Sequence, residues 1–290
     1  MKDLRGKTAV VTGGASGIGR ALCDVFAREG MKVVVADVEQ GALDQAVAEL
    51  RDRDVDAIGV RTDVTSFESV QALEHAAVEA FGKVHVLVNN AGVGAHEDVP
   101  MWELPLNDWR WCMNVNVWGV IHGIKAFLPG MIAHGEEGHV VNTSSGNGGL
   151  ILIPTTPIYS ATKAAVSAIT ESLHLQLTMQ GSAIHAHVLY PGPHIVASNI
   201  FTAARNRPSE LTREVPQVAP AVTLESLGQM FEAMGRKLET TSPAQVAEHA
   251  LEGIRADAFY ILPWTEDGRV RYRERVDGIL EAKNPQPRFF

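Results

Sequence analysis

The sequence predicts an α/β protein in which a doubly wound, seven-stranded parallel sheet carries helices on both faces, in a single domain over residues 1–290. Three observations predict this fold. Short apolar runs alternate with amphipathic helical stretches along the chain. The runs are almost continuously apolar, which is typical of strands buried on both faces of a parallel sheet. Polar motifs come directly after the strands, where the carboxyl ends of parallel strands form ligand sites.

The elements follow in chain order. Strands are predicted where β-branched residues run together between turn residues, and helices where apolar residues recur every three or four positions. The predicted strands cover residues 7–12, 32–37, 56–63, 84–92, 139–145, 183–192 and 259–263. The predicted helices cover 18–30, 40–53, 66–82, about 106–134, 159–180 and about 242–255. Ser66 is the expected N-cap of the third helix, and Gly82 is its expected stop.

Two segments depart from the alternation. The region of about 193–240 carries four prolines and weak patterning. A loop of this length is usually a functional lid or a disordered segment, and we expect a substrate lid. The C-terminal extension of about 264–290 holds a charged helical stretch that covers either the core or an oligomer contact.

Composition excludes several classes of function. The formal charge of −9 and the pI near 5.7 argue against nucleic-acid binding, which needs a basic surface. The N-terminus lacks the apolar region of a signal peptide, and no apolar run reaches the roughly 18 residues that span a bilayer. Cys23 and Cys112 are expected to be buried thiols, and no Cys/His cluster has metal-ligand spacing. These features predict a cytoplasmic protein with no metal and no membrane contact.

A glycine-rich loop separates the first strand from the first helix. The loop "TGGASGIGR" runs from Thr12 to Arg20 with the spacing T-G-x-x-x-G-x-G. Gly13, Gly17 and Gly19 allow a tight turn and a close approach of the backbone to a pyrophosphate. An ordinary tight turn is the alternative, but the strand–loop–helix context predicts dinucleotide binding.

The ends of the next strands are expected to hold the adenosine half of the dinucleotide. Asp37 closes the second strand, where a carboxylate accepts from both ribose hydroxyls and repels a 2′-phosphate. It therefore predicts NAD rather than NADP, although a solvated Asp that caps a turn is the alternative. Asp63 and Val64 end the third strand near the expected adenine, and Asp63 is equally suited to cap the following helix.

Four polar residues predict the chemistry. Tyr159 and Lys163 are one helical turn apart, and an ammonium beside a phenol is expected to lower the phenol pKa. Such a tyrosine is a general base in alcohol oxidation and a general acid in ketone reduction. Ser145 ends the preceding strand and can stabilise a developing alkoxide. Asn116 lies inside a predicted helix, where a buried Asn needs a partner and a water-mediated proton path is one possibility.

The chain resembles the short-chain dehydrogenase/reductase family of the single-domain Rossmann type. The resemblance covers about residues 5–195 and rests on "TGGASGIG", "NNAG", "NVWG", "NTSSGNGG", "YSATK" and "YPG", which occur in family order. It implies a catalytic tetrad of Asn116, Ser145, Tyr159 and Lys163, with Ser144 as the neighbour to test beside Ser145. It also implies a homodimer or homotetramer that packs through the helices at 106–134 and 159–180.

The resemblance extends to the cofactor. The expected contacts with NAD are Gly13, Ser16, Gly17, Ile18, Gly19, Asp37, Asp63, Val64, Asn90, Ala91, Gly92, Tyr159, Lys163, Pro191, Gly192 and Ile195. Around Gly192 the sequence reads "PGPHIVASN" where the family usually has P-G-x-V-x-T. Ile195 is the nicotinamide contact that we expect after Gly192. Ala91 and Gly92 leave room for a ligand, although "NNAG" is also compatible with a plain turn.

The substrate is expected to be a small-molecule secondary alcohol or ketone with a bulky apolar or aromatic body. The lid and tail are loosely similar to those of bacterial aryl-alcohol Cα-dehydrogenases. Apolar residues around Tyr159 and in the lid either face this substrate or pack the fold: Ile151, Leu152, Ile153, Pro154, Ile158, Phe201 and Met230. The tryptophans Trp102, Trp109, Trp111 and Trp118 serve either an interface or the pocket.

The leading interpretation is an NAD(H)-dependent alcohol dehydrogenase or ketoreductase. One alternative is an NADPH-dependent ketoacyl or hydroxysteroid reductase. An alternative of another class is a dinucleotide-sensing binding protein that turns nothing over, against which the complete tetrad argues.

Overall fold

The structure is a computed structural model that describes residues 1–286. Seven parallel strands form its central sheet. The strand order is β3-β2-β1-β4-β5-β6-β9, with a crossover between β3 and β4 that returns the chain to the middle of the sheet. The strands of this sheet are β1 (Thr8–Thr12), β2 (Lys32–Asp37), β3 (Ala57–Arg61), β4 (Val86–Asn89), β5 (Gly138–Thr143), β6 (Ile184–Leu189) and β9 (Tyr260–Ile261). Two further strands, β7 (Ile195–Val196) and β8 (Thr240–Thr241), lie outside it. The predicted doubly wound sheet is confirmed.

Helices cover the two faces of this sheet. They are α1 (Gly17–Arg28), α2 (Gln40–Arg51), α3 (Phe67–Phe81), α4 (Leu106–Met113), α5 (Gly119–Ala133), a distorted single turn α6 (Gly146–Gly149), α7 (Pro157–Met179), α8 (Leu224–Ala233), α9 (Pro243–Ala256) and α10 (Glu266–Leu280). Ser66 caps α3 by accepting from the Ser69 N–H, and Gly82 ends that helix at φ 83°. Both agree with the sequence pattern.

The core lies in two layers on either side of the sheet. Alternate residues of each strand point to opposite faces, so Val11, Val33 and Val35 pack against α1 and α9, whereas Val10 and Val34 pack towards α3 and α5. These valines are fully buried. Burial on both faces explains why the strands read as continuous apolar runs.

The expected lid contains more regular structure than its sequence indicates. β7 and β8 pair in parallel as a second, two-stranded sheet, two 3-10 segments cover Asn199–Asn206 and Ser209–Leu211, and α8 follows. Tertiary contacts stabilise these short elements, and such contacts leave little periodicity in sequence. In the C-terminal extension α10 is formed as expected, and residues 287–290 lie outside the described part of the chain.

One helical stretch is long and apolar enough, by length and composition alone, to cross a membrane. It runs from Leu106 to Ala133 with a mean hydropathy of 1.2. The stretch is not an unbroken apolar run, because polar residues interrupt it, and it meets the criterion only by its mean hydropathy. Phe127 and Met131 of this stretch are buried in the core, as they would be in the core helix of a globular domain.

Candidate active site

A cavity of about 1970 Å³ lies at the carboxyl ends of β1, β2, β4, β5 and β6. Most of the predicted site residues line it together: Gly13, Ser16, Gly17, Ile18, Asp37, Asp63, Val64, Asn90, Ala91, Gly92, Ser145, Tyr159, Lys163, Pro191 and Ile195. Three predicted residues, Gly19, Asn116 and Gly192, are not among the residues that line it. The parallel strands place these distant motifs together because their carboxyl ends share one edge of the sheet.

The glycine loop is held in shape from β4. The Thr12 hydroxyl accepts from the N–H groups of Asn90 and Ala91 at 3.0 and 3.1 Å, and the Asn90 amide donates to the Thr12 carbonyl at 3.0 Å. Gly13 and Gly17 adopt φ 63° and 53°, which a Cβ would strain. The turn therefore leaves its backbone bare towards the cavity, as a pyrophosphate requires.

Gly19 contributes to the loop by packing. A Cβ on Gly19 would lie 2.0 Å from the Gly13 carbonyl oxygen. The residue lets α1 start directly against the loop, which is a structural reason for its place in the motif.

Asp37 lies where the sequence predicts, at the end of β2. It is buried, its Oδ2 accepts from the Ala15 N–H at 3.1 Å, and its Oδ1 accepts from the Glu39 N–H at 3.1 Å. Its carboxylate is thereby fixed at the cavity wall beside the glycine loop. The nearby lid cation Arg205 pairs with Glu39, with 2.6 Å between Nη2 and Oε1.

Asp63 does not cap α3, whose N-cap is Ser66. Its Oδ1 accepts from the N–H and the hydroxyl of Thr65 at 2.9 and 2.8 Å, within the turn before that helix, and the side chain is exposed. Asp63 and Val64 both line the cavity.

Tyr159 and Ser145 meet at the centre of the cavity. The Tyr159 phenol and the Ser145 side chain both face the cavity, and the Ser145 Oγ accepts from the Asn147 N–H at 3.2 Å. Burial raises the pKa of Tyr159 to about 12, and the interaction with Ser145 offsets only part of that rise. The phenol is therefore protonated at neutral pH.

Lys163 does not act on Tyr159 as the spacing predicts. Its Nζ donates to the Thr143 carbonyl at 2.9 Å and lies 5.7 Å from the centre of the Tyr159 ring. Burial lowers the pKa of Lys163 to about 8. The expectation of a lowered phenol pKa is wrong for this state of the protein, because burial penalises both charged forms and no hydrogen bond joins the ammonium to the phenol.

Asn116 lies in a five-residue π-helical turn, Asn114–Trp118, between α4 and α5. Its Oδ1 accepts from the Val93 N–H at 2.8 Å, and its Nδ2 donates to the Val93 carbonyl and to the Thr162 hydroxyl at 2.9 and 3.0 Å. It is fully buried. The side chain therefore joins the strand β4 loop to α7, and π-helical turns of this kind are frequent at functional sites.

The two adjacent serines have different surroundings. The Ser144 hydroxyl donates to the Lys163 carbonyl at 2.8 Å and lies 2.8 Å from the Ser167 hydroxyl. Ser145 is the one that contacts Tyr159. Their geometry agrees with the preference for Ser145 over Ser144.

The loop after α6 and the expected lid supply an apolar wall. Ile151, Leu152 and Ile153 of that loop and Phe201 and Met230 of the lid line the cavity. Pro154 and Ile158 are not among its lining residues, and Ile158 is fully buried in the core beside Trp111 and Cys112. Trp111 lines the cavity, whereas Trp102 and Trp118 are 83% and 49% exposed.

Several residues of the site were not predicted from the sequence. Glu97 lines the cavity and binds the start of α7, and Arg205 of the lid binds Glu39 next to the adenosine end. No short sequence motif indicates either contact, because the partners are far apart in sequence. His194 lies 3.3 Å from Glu239 and also lines the cavity.

The structure also brings together a group that could hold a metal, away from the cavity. His139, His187 and Asp257 place one ligand atom each within 4.8 Å of one another. The Nδ1 of His139 lies 2.8 Å from the Nε2 of His187, whose Nδ1 lies 2.8 Å from the Ala258 carbonyl oxygen. These three residues have no metal-ligand spacing in sequence, and the histidines already have hydrogen-bond partners.

The fold and the cavity are typical of dinucleotide-binding oxidoreductases, because a glycine-rich turn and a polar Ser-Tyr-Lys set open into one space. The chain belongs to the short-chain dehydrogenase family, whose model matches residues 7–207.

Solved and curated relatives resemble the chain over nearly its whole length. A crystal structure of a short-chain dehydrogenase/reductase from Burkholderia phymatum in complex with NAD is 40% identical, covers 100% of both chains and has a TM-score of 0.88. A C alpha-dehydrogenase from Sphingobium sp. (strain NBRC 103272 / SYK-6) is 33% identical over 98% of this chain and 89% of its own. A 1-deoxy-11-beta-hydroxypentalenate dehydrogenase from Streptomyces exfoliatus is 32% identical over 95% and 89%.

Proposed function

We propose that the protein interconverts a secondary alcohol and a ketone with NAD(H), with Tyr159 as the acid and base. The observation that carries the proposal is that Ser145, Tyr159 and Lys163 line one cavity, which runs to the glycine loop. A substrate oxygen that contacted both hydroxyls would lie beside the group that exchanges its proton. The NAD-bound relative from Burkholderia phymatum supports the choice of cofactor.

The chain's own residues fit a dinucleotide. The bare turn at Gly13 and Gly17 would receive the pyrophosphate, Asp37 the adenosine ribose, and the segment Asn90–Gly92 with Pro191 and Ile195 the nicotinamide end. Bound NAD would supply the acceptor or donor of hydride. The small residues at 91 and 92 leave the cavity open between Tyr159 and the loop.

Each polar residue has one task in the proton transfer. Ser145 holds the substrate oxygen and stabilises negative charge on it in the transition state. Tyr159 is protonated at neutral pH and is therefore ready to donate to a ketone, whereas alcohol oxidation requires it first to lose that proton. Lys163, whose pKa is near 8, supplies a positive charge below that pH that favours proton loss from Tyr159 once a cationic ring lies beside it. Asn116 supports this proton transfer through its hydrogen bonds, which join Val93 in the loop after β4 to Thr162 on the helix that carries Tyr159.

The substrate we propose has a bulky apolar or aromatic body. Ile153, Phe201 and Met230 on the cavity wall support it, and so do the names of two relatives, a C alpha-dehydrogenase and a 1-deoxy-11-beta-hydroxypentalenate dehydrogenase. A panel of secondary alcohols with NAD, followed at 340 nm, tests the proposal. Aryl and polycyclic alcohols should be oxidised faster than 2-propanol. No turnover of any alcohol, with NAD bound, would favour a dinucleotide sensor instead.

We expect the protein to prefer NADH to NADPH because Asp37 is buried at the ribose position and Arg205 is held by Glu39. Asp37→Asn removes the charge but keeps the shape, and should narrow the ratio of the two kcat/KM values by roughly 10-fold, a loss of about 1.4 kcal/mol of discrimination. Asp63→Asn is the matched control, because this exposed carboxylate lines the same cavity. It should change both cofactors alike.

A wild-type preference for NADPH would contradict this assignment and favour the ketoacyl or hydroxysteroid reductase alternative.

We further propose a cytoplasmic homodimer or homotetramer. Trp118 is 49% exposed at the start of α5, where the family's subunit contacts are expected.

A further inference from the structure

The helix that carries Tyr159 has no cap of its own. Thr156 occupies the N-cap position of α7 and makes no side-chain capping bond. Pro157, at the first helical position, has no N–H. The first free donors of the helix are therefore the N–H groups of Ile158 and Tyr159, which a helix end must satisfy from elsewhere.

Glu97 satisfies both donors from a distant loop. Its Oε2 accepts from the Ile158 N–H at 2.7 Å, and its Oε1 accepts from the Tyr159 N–H at 3.2 Å. The next N–H, of Ser160, is already bonded to the Thr156 carbonyl at 2.9 Å. One carboxylate thus completes the first turn of α7, where a negative charge is also favoured by the helix dipole.

The loop that carries Glu97 is itself anchored. The adjacent Asp98 accepts from Arg213 and from the N–H groups of Val218 and Ala219, at 2.6 and 3.3 Å for the two backbone donors. Its side chain is 1% exposed. Glu97 therefore joins the start of α7 to a loop that is anchored on the lid.

We propose that Glu97 is a positioning residue for Tyr159: its ionised carboxylate fixes the first turn of α7, and with it the phenol beside Ser145. This inference rests on the proposed role of Tyr159. No sequence motif contains Glu97, because it lies 62 residues before the tyrosine that it holds.

The two neighbouring carboxyls differ in their partners. Burial favours the neutral acid in both, but the bonds from Arg213 and from backbone N–H groups hold the pKa of Asp98 well below its usual range. Glu97 has backbone N–H partners only, and burial raises its pKa to about 7. Protonation would take away one acceptor and the charge, so Glu97 holds α7 fully only above about pH 7.

The titration of Glu97 can be distinguished from that of the groups that face it. Asp108 of α4 raises its pKa further, and that carboxylate is paired with Arg207 and Arg213 of the lid. Cys112 of α4 is a neutral thiol, because burial raises its pKa to about 12. On α7 itself, Tyr159 also has a pKa near 12. In the loop, His96 contacts Asp98 at 3.3 Å.

Ketone reduction with NADH is the direction that isolates this effect, because Tyr159 acts there as a protonated acid and stays protonated throughout pH 6–8. In the wild type, kcat should fall towards acid pH through an inflection near 7. Glu97→Gln should lower kcat at pH 8 by roughly 10- to 100-fold, as a misplaced acid does, with KM changed less than about 3-fold. The variant should lack the inflection near 7.

Glu210→Gln is the matched control. Glu210 is exposed on the same cavity, and its Oε2 accepts from the hydroxyl of the neighbouring Ser209 at 3.4 Å. Its kcat and its pH profile should stay within about 2-fold of the wild type. A Glu97→Gln enzyme with the wild-type profile, or with its change confined to KM, would overturn the proposal and make Glu97 a structural residue or a substrate contact.

A measurement on the unchanged protein covers the case in which the variant does not fold. Hydrogen–deuterium exchange of a peptide that contains Ile158 and Tyr159, corrected for the intrinsic pH dependence, should show protection at pH 8 that weakens below pH 7. Equal protection at pH 6 and 8 would overturn the proposal. Exchange does not depend on turnover, so this result stands apart from any failure of Tyr159 as the acid and base.

Discussion

Tyr159→Phe should lower kcat by about 10²- to 10⁴-fold in both directions, since the variant keeps the ring and loses the proton that is exchanged. NADH affinity, measured by fluorescence titration, should change by less than about 3-fold. A small change is expected because the hydroxyl faces Ser145, whereas in the proposed complex the glycine loop would receive the phosphate end of the dinucleotide. Turnover close to that of the wild type would refute the proposed mechanism.

Tyr190→Phe is the control for the loss of a buried tyrosine hydroxyl. Tyr190 is buried, its hydroxyl donates to Ser167 at 3.1 Å, and it is not among the residues that line the cavity. Removing this hydroxyl should cost about 1 kcal/mol of the free energy of unfolding and leave kcat within a few-fold. Equal losses of kcat in the two variants would mean that the catalytic effect is an effect of packing.

Ser145→Ala should lower kcat by about 10²- to 10³-fold, since a donor aimed at the developing alkoxide is lost. The loss should fall on kcat more than on KM if the bond strengthens in the transition state. Steady-state kinetics with one secondary alcohol and its ketone would measure both parameters.

Ser144→Ala separates the two adjacent serines. The Ser144 hydroxyl binds the Lys163 carbonyl and Ser167 instead of the tyrosine. Its removal should cost about 1 kcal/mol of stability, seen as a lower Tm, with a smaller loss of kcat than in Ser145→Ala. A larger loss of kcat in Ser144→Ala would exchange the roles that we assign to the two residues.

Local patterns predicted the parts of the site that depend on local geometry. The spacing of Tyr159 and Lys163 places them on one face of α7, and the glycine spacing gives the turn after β1. Most predicted cofactor contacts line the cavity, because each follows a strand of a parallel sheet. Gly19 and Gly192 are exceptions, since a motif does not say which of its residues face the ligand and which support the turn.

The electrostatics of the site could not be predicted in this way. Spacing suggested that the ammonium of Lys163 lowers the pKa of Tyr159, whereas burial raises that pKa and also lowers the pKa of Lys163. The degree of burial depends on the lid and on α4, which pack over the site from distant parts of the chain. A pKa in a folded protein is therefore a property of packing as much as of sequence neighbours.

The sequence by itself determined the order of strands and helices, the glycine turn and the family, because periodicity and short motifs record local conformation. Only the tertiary structure decided that Asn116 binds Val93 and that Glu97 caps α7, since these pairs are 23 and at least 61 residues apart. Any side chain with an acceptor oxygen and a suitable length can complete the N-terminus of a helix. The fold selects the one whose loop is anchored beside it.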